Sequence, residues 1–128
     1  MTKIIHKDLS YKLIGLFYEV HNKLGRFCKH DQYCDAIEIL LRKGKFEYKR
    51  EIDTPINFHG KIIKGNRLDF IISNLVPVDI KAKKMITTED YNQIKRYLKA
   101  TNRILGIIIN FRDESLKPKR ILNSKGMY

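Results

Sequence analysis

Apolar residues recur at spacings of three and four from Asp8 onward: Leu9, Leu13, Leu16, Phe17, Val20 and Leu24. That period predicts an amphipathic helix over 8–24, with Asp8 or Ser10 as its cap and Gly25 as its stop. A second stripe, Tyr33, Ala36, Ile37, Leu40 and Leu41, predicts a helix from about 29 to 43, ended by Gly44. The period then drops to two. Residues 46–52 (FEYKREI) alternate as a strand does; Pro55 interrupts, 56–58 resume, and His59-Gly60 makes a turn. Two further strands are predicted at 68–72 and 76–82. Thr87 or Thr88 starts a third helix running to about 100, with Thr87 and Asp90 as a capping box. Residues 104–111 (ILGIIINF) are continuously apolar, as a strand buried on both faces should be. A short edge strand is predicted at 120–122. The order α-α-β-β-β-α-β predicts one α/β domain, 1–128, with a mixed sheet.

Composition changes this picture in three ways. Hydrophobic residues make up 43% of 128, enough for a packed core. No apolar run nears the ~20 residues that span a bilayer, and MTKIIHKDLS lacks a signal-peptide pattern, so a cytoplasmic location is expected. The net charge is +12, which favours polyanions, nucleic acid before anionic membrane. A lysine-rich surface arising from AT-rich coding is the alternative, which the many Ile, Lys and Asn residues fit in part, but the charge argument places nucleic acid ahead of it. Cys28, His30 and Cys34 do not match a common zinc spacing; free, partly buried thiols are expected.

The stretch RLDFIISNLVPVDIK (67–81) sets two aspartates among apolar residues, where a strand disfavours them. Register decides what they do. Pairing Ile72 with Leu75 across a two-residue turn would send Asp69 and Asp79 to opposite faces. Pairing Ile72 with Val76 puts Asp69 opposite Asp79, beside Lys81, and gathers Leu68, Phe70, Ile72, Val76, Val78 and Ile80 on the other face. A one-residue slip inverts every side chain, so the second register, with its clean apolar face, is expected. Pro77 then falls on the polar face, at an edge or a bulge. Carboxylates facing each other at ~5 Å repel unless neutralised, and oxygen ligands of this kind select Mg²⁺ or Mn²⁺. A lysine beside such a metal can hold a water for phosphodiester hydrolysis. An ion pair of Asp79 with Lys81, or of Asp69 with Arg67, explains the same residues structurally.

Asp69, then Asp79-Ile80-Lys81, then Gln93-Ile-Lys-Arg-Tyr97 resembles the PD-(D/E)XK nuclease superfamily, in its RecB-like branch with a Q-x₃-Y element. From Leu9 to Leu122 the chain is similar to the small GxxExxY proteins of that superfamily. The segments that carry this are 15–25 (GLFYEVHNKLG), Tyr33 with Ala36, 79–82 (DIKA), 97–101 (YLKAT) and 105–111 (LGIIINF). The resemblance implies a restriction-endonuclease-like core of helix, three-stranded meander, helix and strand, preceded by an extra N-terminal helix. It implies a metal held by Asp69, Asp79, the Ile80 carbonyl and a residue on the helix before the first strand. Lys81 would assist the attacking water, and Gln93 and Tyr97 would orient the site or the nucleic-acid backbone. Aligned on Tyr33, the Gly and Glu that name the GxxExxY proteins fall at Phe27 and His30. RecB-like nucleases resemble one another in using a histidine on this helix, so His30 is a candidate ligand, with Glu19 as the alternate carboxylate.

The expected function is therefore a metal-dependent nuclease. Catalysis is assigned to Asp69, Asp79, Lys81 and Gln93. The metal is assigned to Asp69, Asp79, Ile80, His30 and Glu19, and nucleic-acid contact to Lys83, Lys84, Arg96 and Tyr97. DNA is placed ahead of RNA as partner, no membrane is expected, and a homodimer is allowed by analogy. The alternatives are an inactive nucleic-acid-binding module of the same fold and a protein-interaction subunit.

Overall fold

The computed structural model describes residues 5–127. Helix α1 (Lys7–Leu24) opens earlier than its sequence caps imply. His6, at a φ of 48°, holds the N-cap position, and Ser10 is buried inside the helix. Leu13, Phe17 and Val20 form its buried stripe, and Gly25, at a φ of 76°, ends it. Helix α2 (His30–Lys43) buries Tyr33, Cys34, Ile37 and Leu41.

Strand β1 (Tyr48–Asp53) starts two residues later than the alternation predicts, because Phe46 folds back on the helix exit; a Cβ added at Gly44 would lie 2.8 Å from its ring. β2 (Ile56–Phe58) pairs with β3 (Lys61–Ile63), a strand the sequence reading lacks. His59 and Gly60 join them, both with positive φ (51° and 77°), the backbone a two-residue hairpin turn needs. β4 (Arg67–Ile72) and β5 (Val76–Lys81) follow, then α3 (Thr88–Thr101), β6 (Leu105–Asn110) and β7 (Lys119–Leu122). Thr87 and Asp90 form the expected capping box on α3.

The main sheet has the order β1-β4-β5-β6-β7, antiparallel except for β5 and β6, which the α3 crossover makes parallel. Helices α1 and α2 cover one face, packing Leu13, Phe17 and Ile37 against Phe70, Val78, Ile107 and Ile109. Helix α3 covers the other. It approaches β6 so closely that a Cβ on Gly106 would stand 2.9 Å from Ile94 Cδ1. Gly106→Val is therefore expected to cost about 1–3 kcal/mol, read as a lower urea midpoint at unchanged m-value.

The β4–β5 register is Ile72↔Val76, Ile71↔Pro77 and Phe70↔Val78 across a three-residue turn. Ser73 and Asn74 both take φ of 54° to make that turn. The six apolar residues of the predicted face are all buried. The opposite face differs from expectation. It is polar only at its Asp79–Lys81 end, for Ile71, Pro77 and Ile108 are buried on the side that α3 covers. Pro77 also lies in a central strand, neither at an edge nor in a bulge. The Ile80 amide points toward β4, so by strand alternation a residue-77 amide would point toward β6, whose ladder begins only at Val78. The missing donor costs nothing there.

Candidate active site

The hairpin register brings Asp69 across from Asp79 at the place where β4 and β5 part. Backbone pairing ends at Phe70↔Val78, and the Ile80 amide donates instead to Asp69 Oδ2 at 2.7 Å. The first turn of α2 sets His30 over this gap. Its Nε2 lies 3.0 Å from Asp69 Oδ1 and its Nδ1 3.0 Å from Asp31 Oδ1. One helical turn on, Cys34 Sγ is 3.6 Å from His30 Nε2. Ligand atoms of His30, Cys34 and Asp69 all fall within 4.8 Å of one another.

Lys81 enters from the far side. Its Nζ is 3.0 Å from Asp79 Oδ2, donates to Gln93 Oε1 at 3.0 Å, and lies 3.7 Å from Asp90 Oδ1. Gln93 Nε2 reaches back to the Arg67 carbonyl at 3.3 Å, tying α3 to the start of β4. A cleft of about 390 Å³ opens here, lined by His30, Asp69, Asp79, Ile80, Lys81 and Gln93 among others.

The electrostatics divide the two carboxylates. Burial, with the Asp69 carboxylate beside it, pushes Asp79 up to about 7. Burial would raise Asp69 too, but hydrogen bonds from His30, Asp79 and the Ile80 amide hold it below its usual range. The hydrogen bond to Asp69 pushes His30 up to about 11, so the ring is an imidazolium at neutral pH. Asp90 sits at about 2: partial burial opposes ionisation, but Lys83 and the Thr87 amide outweigh it. Asp79 Oδ2 is buried, and the Lys81 ammonium stands 3.0 Å from it. His30, Cys34 and Asp69, with ligand atoms within 4.8 Å of one another, are a donor set that a divalent cation fits, and the Asp79 carboxyl faces Asp69 from β5.

A model of the PD-(D/E)XK nuclease superfamily matches residues 7–121. The chain belongs to that superfamily. PD-(D/E)XK nucleases generally use divalent metals and act on nucleic acid, and the fold agrees. α2, the β1-β4-β5 meander, α3 and β6 make a restriction-endonuclease-like core, with α1 added in front. The crystal structure of SSO0001 is similar, with a TM-score of 0.55 and 28% identity over 72% of this chain and 50% of that one. The chain thus spans about half the length of that protein. No curated protein matches it.

Of the residues singled out from the sequence, this PD-(D/E)XK domain brings His30, Asp69, Asp79, Ile80, Lys81, Lys83 and Gln93 to one cleft. Glu19 is a correction. It is exposed on α1 and lines a separate groove with Lys12, Leu16 and Lys43, because Phe17 and Val20 take the inward positions beside it. Tyr97 is a second correction as a nucleic-acid contact, for it is 2% exposed, packed on the sheet side of α3. Lys84 is exposed; Arg96 is exposed and paired with Glu89 at 2.9 Å; Lys83 is ion-paired with Asp90. His21, buried with Nε2 2.8 Å from the Asp113 carbonyl, is structural. Both cysteines are free thiols.

Two contributors lie outside the ligand and catalytic sets that the sequence predicts. Cys34 carried a signal, its i, i+4 spacing from His30 on a helix. Local spacing presents Asp90 as a cap alone; its contacts with Lys81 and Lys83 depend on the crossover. Among the described residues no helix is long and apolar enough to cross a membrane.

Proposed function

We propose that this domain is a Mg²⁺- or Mn²⁺-dependent phosphodiester hydrolase acting on nucleic acid, DNA ahead of RNA. The observation that carries the proposal is the convergence of Asp69, Asp79, Lys81 and Gln93 on one cleft with His30. Asp69, Asp79, His30 and the Ile80 carbonyl would hold the ion. Bound there, it would supply Lewis-acid polarisation of a phosphoryl oxygen and a more acidic water. Lys81, fixed between Asp79, Gln93 and Asp90, presents its ammonium to the attacking water and to charge developing on the phosphate. Gln93 and Asp90 are positioning residues that act through Lys81. Lys83, Lys84 and Arg96 hold the sugar–phosphate backbone, so binding weakens steeply with salt. The GxxExxY likeness, a cytoplasmic location and a homodimer that reaches both strands belong to the same reading.

The test is a cleavage assay on single- and double-stranded DNA and RNA with Mg²⁺ or Mn²⁺, run beside the Asp79→Asn and Lys81→Met variants. Cleavage that both variants retain would sink the proposal. The donor set also makes a prediction about selectivity. Imidazole suits Mn²⁺ better than Mg²⁺, so calorimetry should give a tighter Mn²⁺ complex. His30 must lose its proton to coordinate, so affinity should rise with pH and protons should be released on binding.

One observation favours a second reading, an inactive nucleic-acid-binding module: His30 stands where the GxxExxY pattern has Glu, and its ring is closed onto Asp69. Wild-type protein that binds nucleic acid but neither Mn²⁺ nor Mg²⁺ would select it.

A further inference from the structure

The loop between α1 and α2 carries Phe27, a phenylalanine that is 76% exposed. Two guanidinium groups attend it: Arg26 Cζ is 5.0 Å and Arg112 Cζ 5.7 Å from the ring centroid. At these distances, with 76% of the residue exposed, most of the ring surface is left accessible. The two arginines are locked together. Arg26 Nε donates to the Arg112 carbonyl at 2.8 Å, and Arg112 Nε to the Arg26 carbonyl at 2.9 Å. Each thereby keeps its terminal amino groups for another acceptor, and among the described residues none takes them.

The loop under the ring is also fixed. The Tyr33 hydroxyl donates to the Gly25 carbonyl at 2.6 Å and accepts from the Cys28 amide at 3.1 Å, while the Tyr33 ring stacks on Phe111 at 4.5 Å. Both arms of the cluster come from elements that flank the cleft. Phe27 precedes His30 by three residues. Arg112 follows Asn110, which pairs with Lys81 in the β5–β6 register and accepts from the Lys83 and Arg112 amides.

We propose that Arg26, Phe27 and Arg112 form a stacking platform for an unpaired base beside the cleft, so that the substrate is single-stranded or carries a single-stranded flank. This rests on the nuclease reading and narrows its substrate class. A rigid, exposed ring offers its π-face to any base that is not already stacked and paired in a duplex, which is how sequence-tolerant single-strand binders hold their ligands. Guanidinium on the ring strengthens the arrangement, and the free amino groups suit the flanking phosphates. A duplex interior presents no base face, so the ring gains nothing from it.

The test is fluorescence anisotropy in metal-free buffer with short labelled single-stranded DNA, single-stranded RNA and the matching duplexes. Phe27→Ala should weaken single-strand binding by about fivefold or more and leave duplex binding unchanged. Phe27→Tyr should restore it, and Arg112→Gln should flatten its salt dependence. Unchanged circular dichroism and Mn²⁺ binding will show that the variants are folded. The platform is overturned if wild type binds no single strand, if Phe27→Ala binds as wild type does, or if single strand and duplex weaken alike. Failure of the platform alongside Asp79-dependent cleavage would leave the nuclease reading standing. Selective loss in Phe27→Ala from a protein that cleaves nothing would do the reverse.

Discussion

Asp79→Asn should abolish divalent-metal binding and at the same time stabilise the metal-free domain. Asp79 is 3% exposed and faces Asp69, with the Lys81 ammonium 3.0 Å from its Oδ2. Its folded-state ionisation is displaced upward, from 3.8 to about 7, by burial first and then by Asp69. The sign follows. Between those two values the unfolded chain gives up the proton and the folded one keeps it, so stability falls as pH rises through that window. An amide has no such proton and removes the slope. The gain should be on the order of 2–3 kcal/mol at pH 8, reduced by the lost attraction to Lys81. Urea unfolding from pH 4 to pH 8 measures it: wild type should weaken across the range and Asp79→Asn should not. His30 has the same sign over a higher window. Its stabilisation is complete below about pH 6.5 and is lost as pH rises toward about 11. A variant that still binds Mn²⁺ as tightly as wild type would remove Asp79 from the ligand set.

The same hairpin shows how far the sequence could be read. Its register followed from patterning because one face is wholly apolar, and a slip would have exposed six buried residues. The helix stripes and the continuous apolar β6 were legible for the same reason: large buried areas impose strict periods. What escaped was set by small or long-range effects. β3 is a three-residue strand with every position exposed, so no burial pattern announces it. The start of α1 depends on one left-handed residue, His6, while Asp8 and Ser10 offered ordinary caps that are not used. Glu19 beside an apolar stripe could have faced either way until Val20 and Phe17 took the core. Pro77 in a central strand reads as a violation until the sheet shows that its missing donor faces the end of a ladder. The site itself was half legible. Asp69, Asp79 and Lys81 follow from strand parity, but Cys34 and Asp90 join them through packing between elements far apart in the chain.

Lys81→Met should lower cleavage by about 10²–10⁴-fold while metal binding persists, the range expected when a positioned proton-transfer or charge-stabilising group is lost. Methionine keeps the length of the stem and removes the ammonium, so packing between β5 and α3 changes little. The electrostatic consequence is specific. The Lys81 charge draws Asp79 downward against burial. Without it the carboxyl holds its proton to higher pH, and Mn²⁺ affinity near neutrality should weaken and then recover as pH is raised. Gln93→Ala should fall between wild type and Lys81→Met, since it loosens Nζ without removing the charge; Asp90 still lies 3.7 Å away to hold it. Lys81→Arg should not rescue cleavage, because a planar guanidinium cannot occupy the pocket between Asp79 Oδ2 and Gln93 Oε1 as a compact ammonium does. The decisive comparison is the pH profile of cleavage. A lysine that acts on the attacking water should take a lower plateau with it at every pH when removed. One that serves only to tune Asp79 should give a variant whose rate climbs back to wild type at high pH, and that result would move Lys81 from catalysis to ligand support.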